Sequence, residues 1–476
     1  MRRILYYLQN LPRRQYVRPW GLVTPILVFL VALPLLRPLR WPEPADISAG
    51  ELTRLAAIQA MAENHTQAID RSEFFQGLCE LNRANPPQTR VIDGSTYSDK
   101  PPVLAKILSW IYAMMAAMGL SFRTNPVLVI YLLTLLGATI PVAACGAVLY
   151  RMSRLFELGR PYRAAVAVSG VFASGLISYS VVLNSHALAA ALVLAACASL
   201  LHITNARRHR QVGVWLIICG LCASLASVID LSASVFLVGL LLVVPVIRAK
   251  PSVRIGGVML YVLGALPPLV FHATLTIPVT GDLLPPCLHQ TPAPSAVISW
   301  APSAEPVRDA ADQDAFEDDR STADAPSLVR RGADAVALLN WRLIGSRGLF
   351  SHFPVLIMGV AGIVMILRRH WPASTKTLAL VTLVGSTAIV LVCVFSHADW
   401  KQRMFGPRWF IVFAPLLLFW AGAWLRKAHR PATWTAVALL TFFSMTIALL
   451  GACDPVVRAR PGQYTPAAAL HELFGH

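Results

Sequence analysis

Long apolar runs recur along most of the chain, separated by short polar breaks. A helix needs roughly 20 apolar residues to cross a bilayer core. Runs near that length fall at 20–36, 127–149, 164–182, 187–203, 212–229, 231–247, 255–275, 350–367, 377–395, 409–425 and 432–450. The pattern predicts an all-α, polytopic membrane helix bundle of about 11 spans, folded as one domain over residues 1–476. A further apolar run, 103–120, is short and carries Lys106 just after Lys100. It is read as a helix lying at the outer interface, because a crossing there would invert every later loop. Two polar stretches interrupt the runs. Residues 37–102 form a first outer loop with juxtamembrane helices. Residues 276–349 form a second, with a flexible, acidic centre rich in Pro and Ala, from Glu305 to Asp324. Leu55, Ile58 and Met61 are spaced for one face of a helix, which puts Glu51 in the first turn of an amphipathic segment.

Composition supports the membrane reading: 56% of residues are hydrophobic, 14% are charged, and the mean hydropathy is +0.59. Soluble domains carry about a quarter charged residues. The net charge of +17 invites a nucleic-acid partner, but its placement excludes one. Basic residues gather in six clusters: Arg2 to Arg18, Arg151 to Arg163, Arg207 to Arg210, Arg248 to Arg254, Arg368 to Lys376, and Arg426 to Arg430. Glu157 is the one acid among them. This is the asymmetry that orients membrane proteins with positive loops inside. The N-terminus is therefore expected inside, and most acids outside. The first run ends in Arg37-Pro38-Leu39-Arg40 without a small-residue cleavage site, so it reads as a retained anchor.

Polar residues that break the runs at the outer boundary are the candidates for chemistry, since charge near lipid is costly unless it is used or paired. Asp99-Lys100-Pro101-Pro102 is the most informative stretch. A residue before proline is held extended, and proline suits the first turn of a helix. Lys100 thus stands before a helix N-terminus, a place suited to phosphate. Its bland role is that of an interfacial anchor. Glu51 in a first helical turn complements the helix dipole or serves as a base. Asn184, Ser185 and His186 form a tight connection, where capping competes with substrate binding. Asp230 lies between two runs and suits a cap. Arg347 and His352 begin the run after the second loop. His397 and Arg408 lie in a short outer loop ending Gly406-Pro407-Arg408-Trp409. Acids, histidines and cations on one side of a membrane suit a transfer reaction on a phosphate-bearing lipid, with arginine gripping phosphate in bidentate fashion. A transporter or flippase for a lipid-linked or anionic substrate is the competing class.

The order of features resembles the GT-C superfamily of membrane glycosyltransferases, in the branch related to aminoarabinose transferase and protein O-mannosyltransferases. A first span is followed by an outer loop with an acid near its start, then by Asp-Lys-Pro-Pro before an apolar helix, then by about ten spans. The likeness is carried mainly by residues 45–200, then by Gly345-Ser346-Arg347-Gly348-Leu349-Phe350-Ser351 and Gly406-Pro407-Arg408-Trp409. It implies transfer of a hexosyl or pentosyl group from a polyprenyl-phosphate-linked sugar donor to a lipid, glycan or protein acceptor. The site would face the periplasmic side of a bacterial inner membrane. It implies Glu51 and Asp99 as catalytic acids and Lys100 on the donor phosphate, joined by Arg347 and Arg408. Asn184, His186, His352 and His397 are left as substrate-binding candidates. Some members hold a divalent metal near these acids, which makes Asp99 and Glu51 its candidate ligands. Gly50 stands before Glu51 where many members carry a second acid.

Overall fold

The computed structural model describes residues 19–36, 48–84, 88–205, 209–247, 251–289, 339–340, 342–346, 348–395, 405–426, 430–456 and 464–474. Most of the acidic centre expected within 276–349 lies outside them, as do Arg347 and His397. The described chain is an all-α membrane helix bundle with a single two-stranded hairpin among the described residues. Its helices are α1 Val23–Leu35, α2 Ala49–Glu63, α3 Phe75–Ala84, α4 Pro102–Ala117, α5 Pro126–Phe156, α6 Arg160–Val168, α7 Ser185–Asn205 and α8 His209–Ile229. They continue as α9 Ser234–Ile247, α10 Pro251–Thr280, α11 Leu356–Arg368, α12 Ala373–Phe395, α13 Ala414–Leu425, α14 Pro431–Cys453 and α15 Thr465–Phe474. Proline opens α4, α5, α10 and α14, where its missing N–H goes unused and its fixed φ suits the first turn.

Six helices among the described residues are long and apolar enough to cross a membrane: α5, α7, α8, α10, α12 and α14. The expected runs at 20–36, 231–247 and 409–425 form shorter apolar helices. The run at 350–367 is bent by 92° between segment Arg342–His352 and α11. The run at 164–182 breaks for a local reason. After α6 the helix widens over Ser169–Ala173, and Gly175 then turns at φ +83°. A Cβ at Gly175 would lie 2.3 Å from the Phe353 ring, so only glycine fits both the turn and the packing. Hydropathy does not register this break. The run at 103–120 forms α4, whose 16 residues reach about 24 Å at 1.5 Å per residue, less than a bilayer core.

Large apolar side chains are exposed along α10 and α14, among them Ile255 (67%), Met259 (66%), Leu439 (64%) and Phe442 (71%). Such continuous apolar exposure is what lipid contact demands. The interior divides into a main core of the spanning helices and a second core. The second joins Leu52, Leu55 and Ile58 of α2 and Val103, Leu104 and Leu108 of α4 to Val129 and Leu133 of α5 and to Val228 of α8. The first loop is therefore packed down onto the ends of the spans. Glu51 through Met61 are all buried, so α2 is enclosed on every side rather than amphipathic.

The hairpin was not foreseen. β1 Thr89–Ile92 pairs antiparallel with β2 Ser95–Ser98 across Asp93 and Gly94, both at positive φ (49° and 79°). That is the Asp-Gly turn whose twist matches antiparallel strands. At its open end Asp99 N donates to Gln88 O at 3.1 Å, and α4 follows directly. The hairpin so fixes where Lys100 emerges.

α8 and α10 touch backbone to backbone. A Cβ on Gly220 would lie 2.0 Å from Tyr261 O, and one on Gly264 would lie 2.1 Å from Ile217 O. Gly220→Val should force the pair apart and lower the thermal midpoint in detergent, with an overpacking cost of about 1–3 kcal/mol. Gly256→Ala, on the same α10 but facing open space, should leave the midpoint in place. Equal midpoints for the two variants would refute the close approach.

Candidate active site

Four segments converge where the first loop meets the bundle. Ser48 caps α2, its Oγ accepting from Glu51 N at 3.2 Å, which sets Glu51 in the first turn as its position predicts. The Glu51 carboxylate is 2% exposed and accepts from Leu183 N at 3.2 Å. Leu183 belongs to the irregular stretch after Gly175, where buried backbone needs partners from elsewhere. Asn184 supplies others: its Nδ2 donates to Tyr179 O and Val182 O, and its Oδ1 accepts from Ala187 N at the start of α7. Asn184 is thus a cap and brace, with those side-chain atoms engaged by backbone.

Arg54 lies one turn beyond Glu51 and links the segments. Its guanidinium donates to Gly50 O at 3.1 Å and to Ser185 Oγ at 3.0 Å. Ser185 Oγ donates to Asp230 Oδ2 at 3.2 Å. Asp230 caps the turn Leu231–Ala233, its Oδ1 accepting from Ser232 N (3.2 Å) and Ser232 Oγ (2.7 Å). His186 Nδ1 stands 2.5 Å from Asp230 Oδ2. Burial pushes the Asp230 carboxyl up, but His186 and the Ser232 bonds outweigh it and hold it below the ordinary carboxylate range. Arg54 is pushed down by burial and partly restored by Asp99, Asp230 and Glu51.

Lys100 completes the cluster. Its Nζ donates to Asp99 Oδ2 at 2.8 Å and to Gln88 Oε1 at 2.7 Å. An atom added at Gly50 Cβ would lie 3.9 Å from both Lys100 Cε and Arg54 Nη1, so the two cations flank the start of α2. Burial pushes the Lys100 ammonium below the usual lysine range. Asp99 opposes the shift, and Arg54 and Arg408 add to it. Asp99 Oδ1 is buried without a hydrogen-bond partner among the described residues. From the far side, the Arg408 guanidinium lies 4.7 Å over the Trp409 ring, and Trp409 meets His186 edge-on at 5.8 Å between ring centres. Beside Arg54 and Lys100 lies a small pocket of about 20 Å³, room for about one water molecule. Tyr97, Ser98 and Gln67 give it polar groups, and Met61, Leu104 and Pro286 give it an apolar wall.

The fold therefore brings together Glu51, Asp99, Lys100, His186 and Arg408, with Asn184 in a supporting role. His352 is elsewhere. It is fully buried, with Nδ1 2.8 Å from Gly348 O and Nε2 2.5 Å from Thr465 Oγ1. It packs on Phe405, and a Cβ on Gly406 would lie 3.3 Å from its ring, so it braces the turn that delivers Arg408. Arg54 and Gln88 were not singled out from the sequence. The spacing of Glu51 and Arg54, three residues apart on one helix, was the available signal. No three His, Cys, Asp or Glu side chains converge as a metal-ligand set among the described residues. Asp99 is matched to Lys100, and Glu51 to backbone. No step is derived through a metal.

No family model matches the chain, and no curated protein matches it by sequence. Among solved structures it is similar to the archaeal oligosaccharyltransferase AglB from Archaeoglobus fulgidus, in complex with an inhibitory peptide and a dolichol-phosphate. Identity is 12% and the TM-score 0.45, over 92% of this chain and 56% of AglB. The chain thus spans little more than half the length of that protein. At that score and identity the likeness assigns neither activity nor substrate here.

Arg54 should be the residue whose loss the cluster tolerates least. Removing one partner of a buried charge set costs about 3–5 kcal/mol, because the others are left uncompensated. Arg54→Gln should lower the thermal midpoint well beyond Arg123→Gln, which breaks an exposed, solvent-screened pair with Glu73. A midpoint for Arg54→Gln no lower than for Arg123→Gln would contradict the linking role.

Proposed function

We propose that this protein is a membrane glycosyltransferase. It moves a sugar from a polyprenyl-phosphate-linked donor to the hydroxyl of a lipid, glycan or protein acceptor. The reaction takes place on the outer, periplasmic side of a bacterial inner membrane. The observation that carries this reading is the cluster itself. Three acids and three cations from separate segments are gathered at one end of a lipid-facing helix bundle, beside a half-apolar pocket. The segregation of the basic clusters in the sequence supports placing that end outside.

Asp99 is the better-placed proton acceptor, because one of its oxygens lacks a partner while Glu51 is committed to Leu183 N. The acceptor hydroxyl gives its proton to Asp99. Its oxygen bonds to the anomeric carbon, and the bond from that carbon to the phosphate oxygen breaks. The electron pair leaves with the polyprenyl phosphate, which Lys100 and Arg408 hold by charge-assisted hydrogen bonds. Glu51 and Arg54 act as positioning residues that fix the start of α2 against Ser185 and Leu183.

Transfer from undecaprenyl-phosphate-linked hexoses and pentoses, measured per folded molecule, tests the assignment. Asp99→Asn should lose about 10²–10⁴-fold in turnover while still binding donor, the usual contribution of a general base. Glu51→Gln should show a smaller loss together with a lower thermal midpoint. The reverse order would move the base to Glu51. Flux of lipid-linked sugar across vesicles without transfer by the parent protein would hand the site to a transporter or flippase.

Donor binding should also report the depressed Lys100 pKa. The ammonium is charged below its pKa, so phosphate affinity is full at lower pH. It declines as pH rises through a value lower than that of an ordinary lysine. Lys100→Arg keeps its charge to far higher pH, so its affinity should persist where the parent protein has lost it. Lys100→Ala should weaken binding about tenfold or more, since a hydrogen bond to a charged group is worth about 1.5–3 kcal/mol. Identical pH profiles for the parent and Lys100→Arg would remove Lys100 from the phosphate.

A further inference from the structure

A second charged recess lies at the opposite end of the bundle. α11 and α13 both start near the first-loop end, beside His352 and Arg408, and run to Arg368 and Arg426. α5 ends at the same level, and Glu157 follows its last residue. Between these helix ends and the start of α12 is an open recess of about 810 Å³. Arg368, Arg369, His370 and Arg426 line it, with Glu157 as its single acid among the described residues. Glu157 is matched to Arg426 at 2.5 Å, and the Arg426 guanidinium lies 5.4 Å from the centre of the Trp371 ring. Arg368 and Arg369 are exposed and make no side-chain ion pair or hydrogen bond among the described residues. Cations also complement the C-terminus of α11. That role does not account for a recess walled on its other sides by Leu155, Met365 and Trp371.

We infer that this recess binds the phosphate of an anionic phospholipid. Two unpaired guanidiniums offer bidentate contacts to phosphate oxygens. The apolar wall receives the glycerol and the first acyl carbons, and Trp371 has the residue type that settles at headgroup depth. Basic pockets between the ends of membrane helices hold anionic headgroups by the same combination. The site is remote from the acid–base cluster and stands apart from the transfer reaction proposed above.

The full chain, reconstituted in nanodiscs of equal phosphatidylglycerol and phosphatidylcholine, is released into detergent, and retained lipid is counted by native mass spectrometry. The parent protein should keep phosphatidylglycerol in preference to phosphatidylcholine. Arg368→Gln with Arg369→Gln should reduce that retention about tenfold, in keeping with the worth of two basic residues near an anionic headgroup. Glu157→Gln removes the competing acid and frees Arg426, so it should raise retention. Arg160→Gln, at the same end but outside the recess, should leave it unchanged. Equal retention by the double variant, or of the two lipids by the parent, overturns the assignment. Displacement of phosphatidylglycerol by millimolar glycerol 3-phosphate would show a site for a soluble phosphate and overturn the lipid form.

Discussion

Everything at the first-loop end hangs on one buried guanidinium. Arg54 is 9% exposed and reaches Gly50 O on its own helix and Ser185 on another. Through Ser185 it is tied to Asp230, and the charges of Asp99 and Glu51 also act on it. Three carboxylates held this close in a poorly solvated place repel one another, and each is costly to bury alone. A central cation makes the arrangement tolerable. Arginine suits the position better than lysine, because it remains charged under desolvation and offers several donors in a fixed plane.

The second constraint is backbone satisfaction. The chain from Ser174 to Asn184 is buried and irregular, and in a membrane protein such backbone survives only where other groups complete its hydrogen bonds. Asn184, Ser180 and Tyr179 do this locally and across to Phe405 O. Glu51 does it from the first loop. The carboxylate that sequence position marks for catalysis is therefore also a structural acceptor. That dual demand fixes the loop at one height above the spans. His352 plays a similar part from the other side, packing on the Gly406 turn, beyond which Trp409 meets His186 and carries Arg408 on its ring.

The membrane class, the first-turn position of Glu51 and the placement of Lys100 before a proline-led helix were legible because each rests on local physics. Apolar run length, capping preference and the fixed φ of proline all act within a few residues. What stayed hidden depends on contacts between distant segments. Arg54 sits in an otherwise apolar window, and two of the groups it is tied to, Ser185 and Asp230, lie more than a hundred residues away. The break at Gly175 is invisible to hydropathy, since its flanks are as apolar as a true span. It shows only once Phe353 is seen to need the space. The hairpin at 89–98 was legible in principle from Asp93-Gly94, but its strands are short and polar.

The charge balance of the cluster bears on how the proposed reaction would begin. Glu51, Asp99 and Asp230 are set against Arg54, Lys100 and Arg408, so in the free protein each acid has a counter-charge near it. A donor phosphate adds negative charge and must win a cation from an existing partner. Arg54 is locked by Gly50 and Ser185, whereas Lys100 Nζ, which lines the pocket, is held among the described residues by Asp99 and Gln88. Lys100 is thus the cation that can turn to the phosphate with least disruption. When it does, Asp99 Oδ2 loses the hydrogen bond that Lys100 donates to it, and both carboxylate oxygens are then open to the acceptor hydroxyl of the proposed reaction. In that reaction, donor binding and the uncovering of the base are one event. A base uncovered by the bound donor is held back from its chemistry until there is a sugar to transfer.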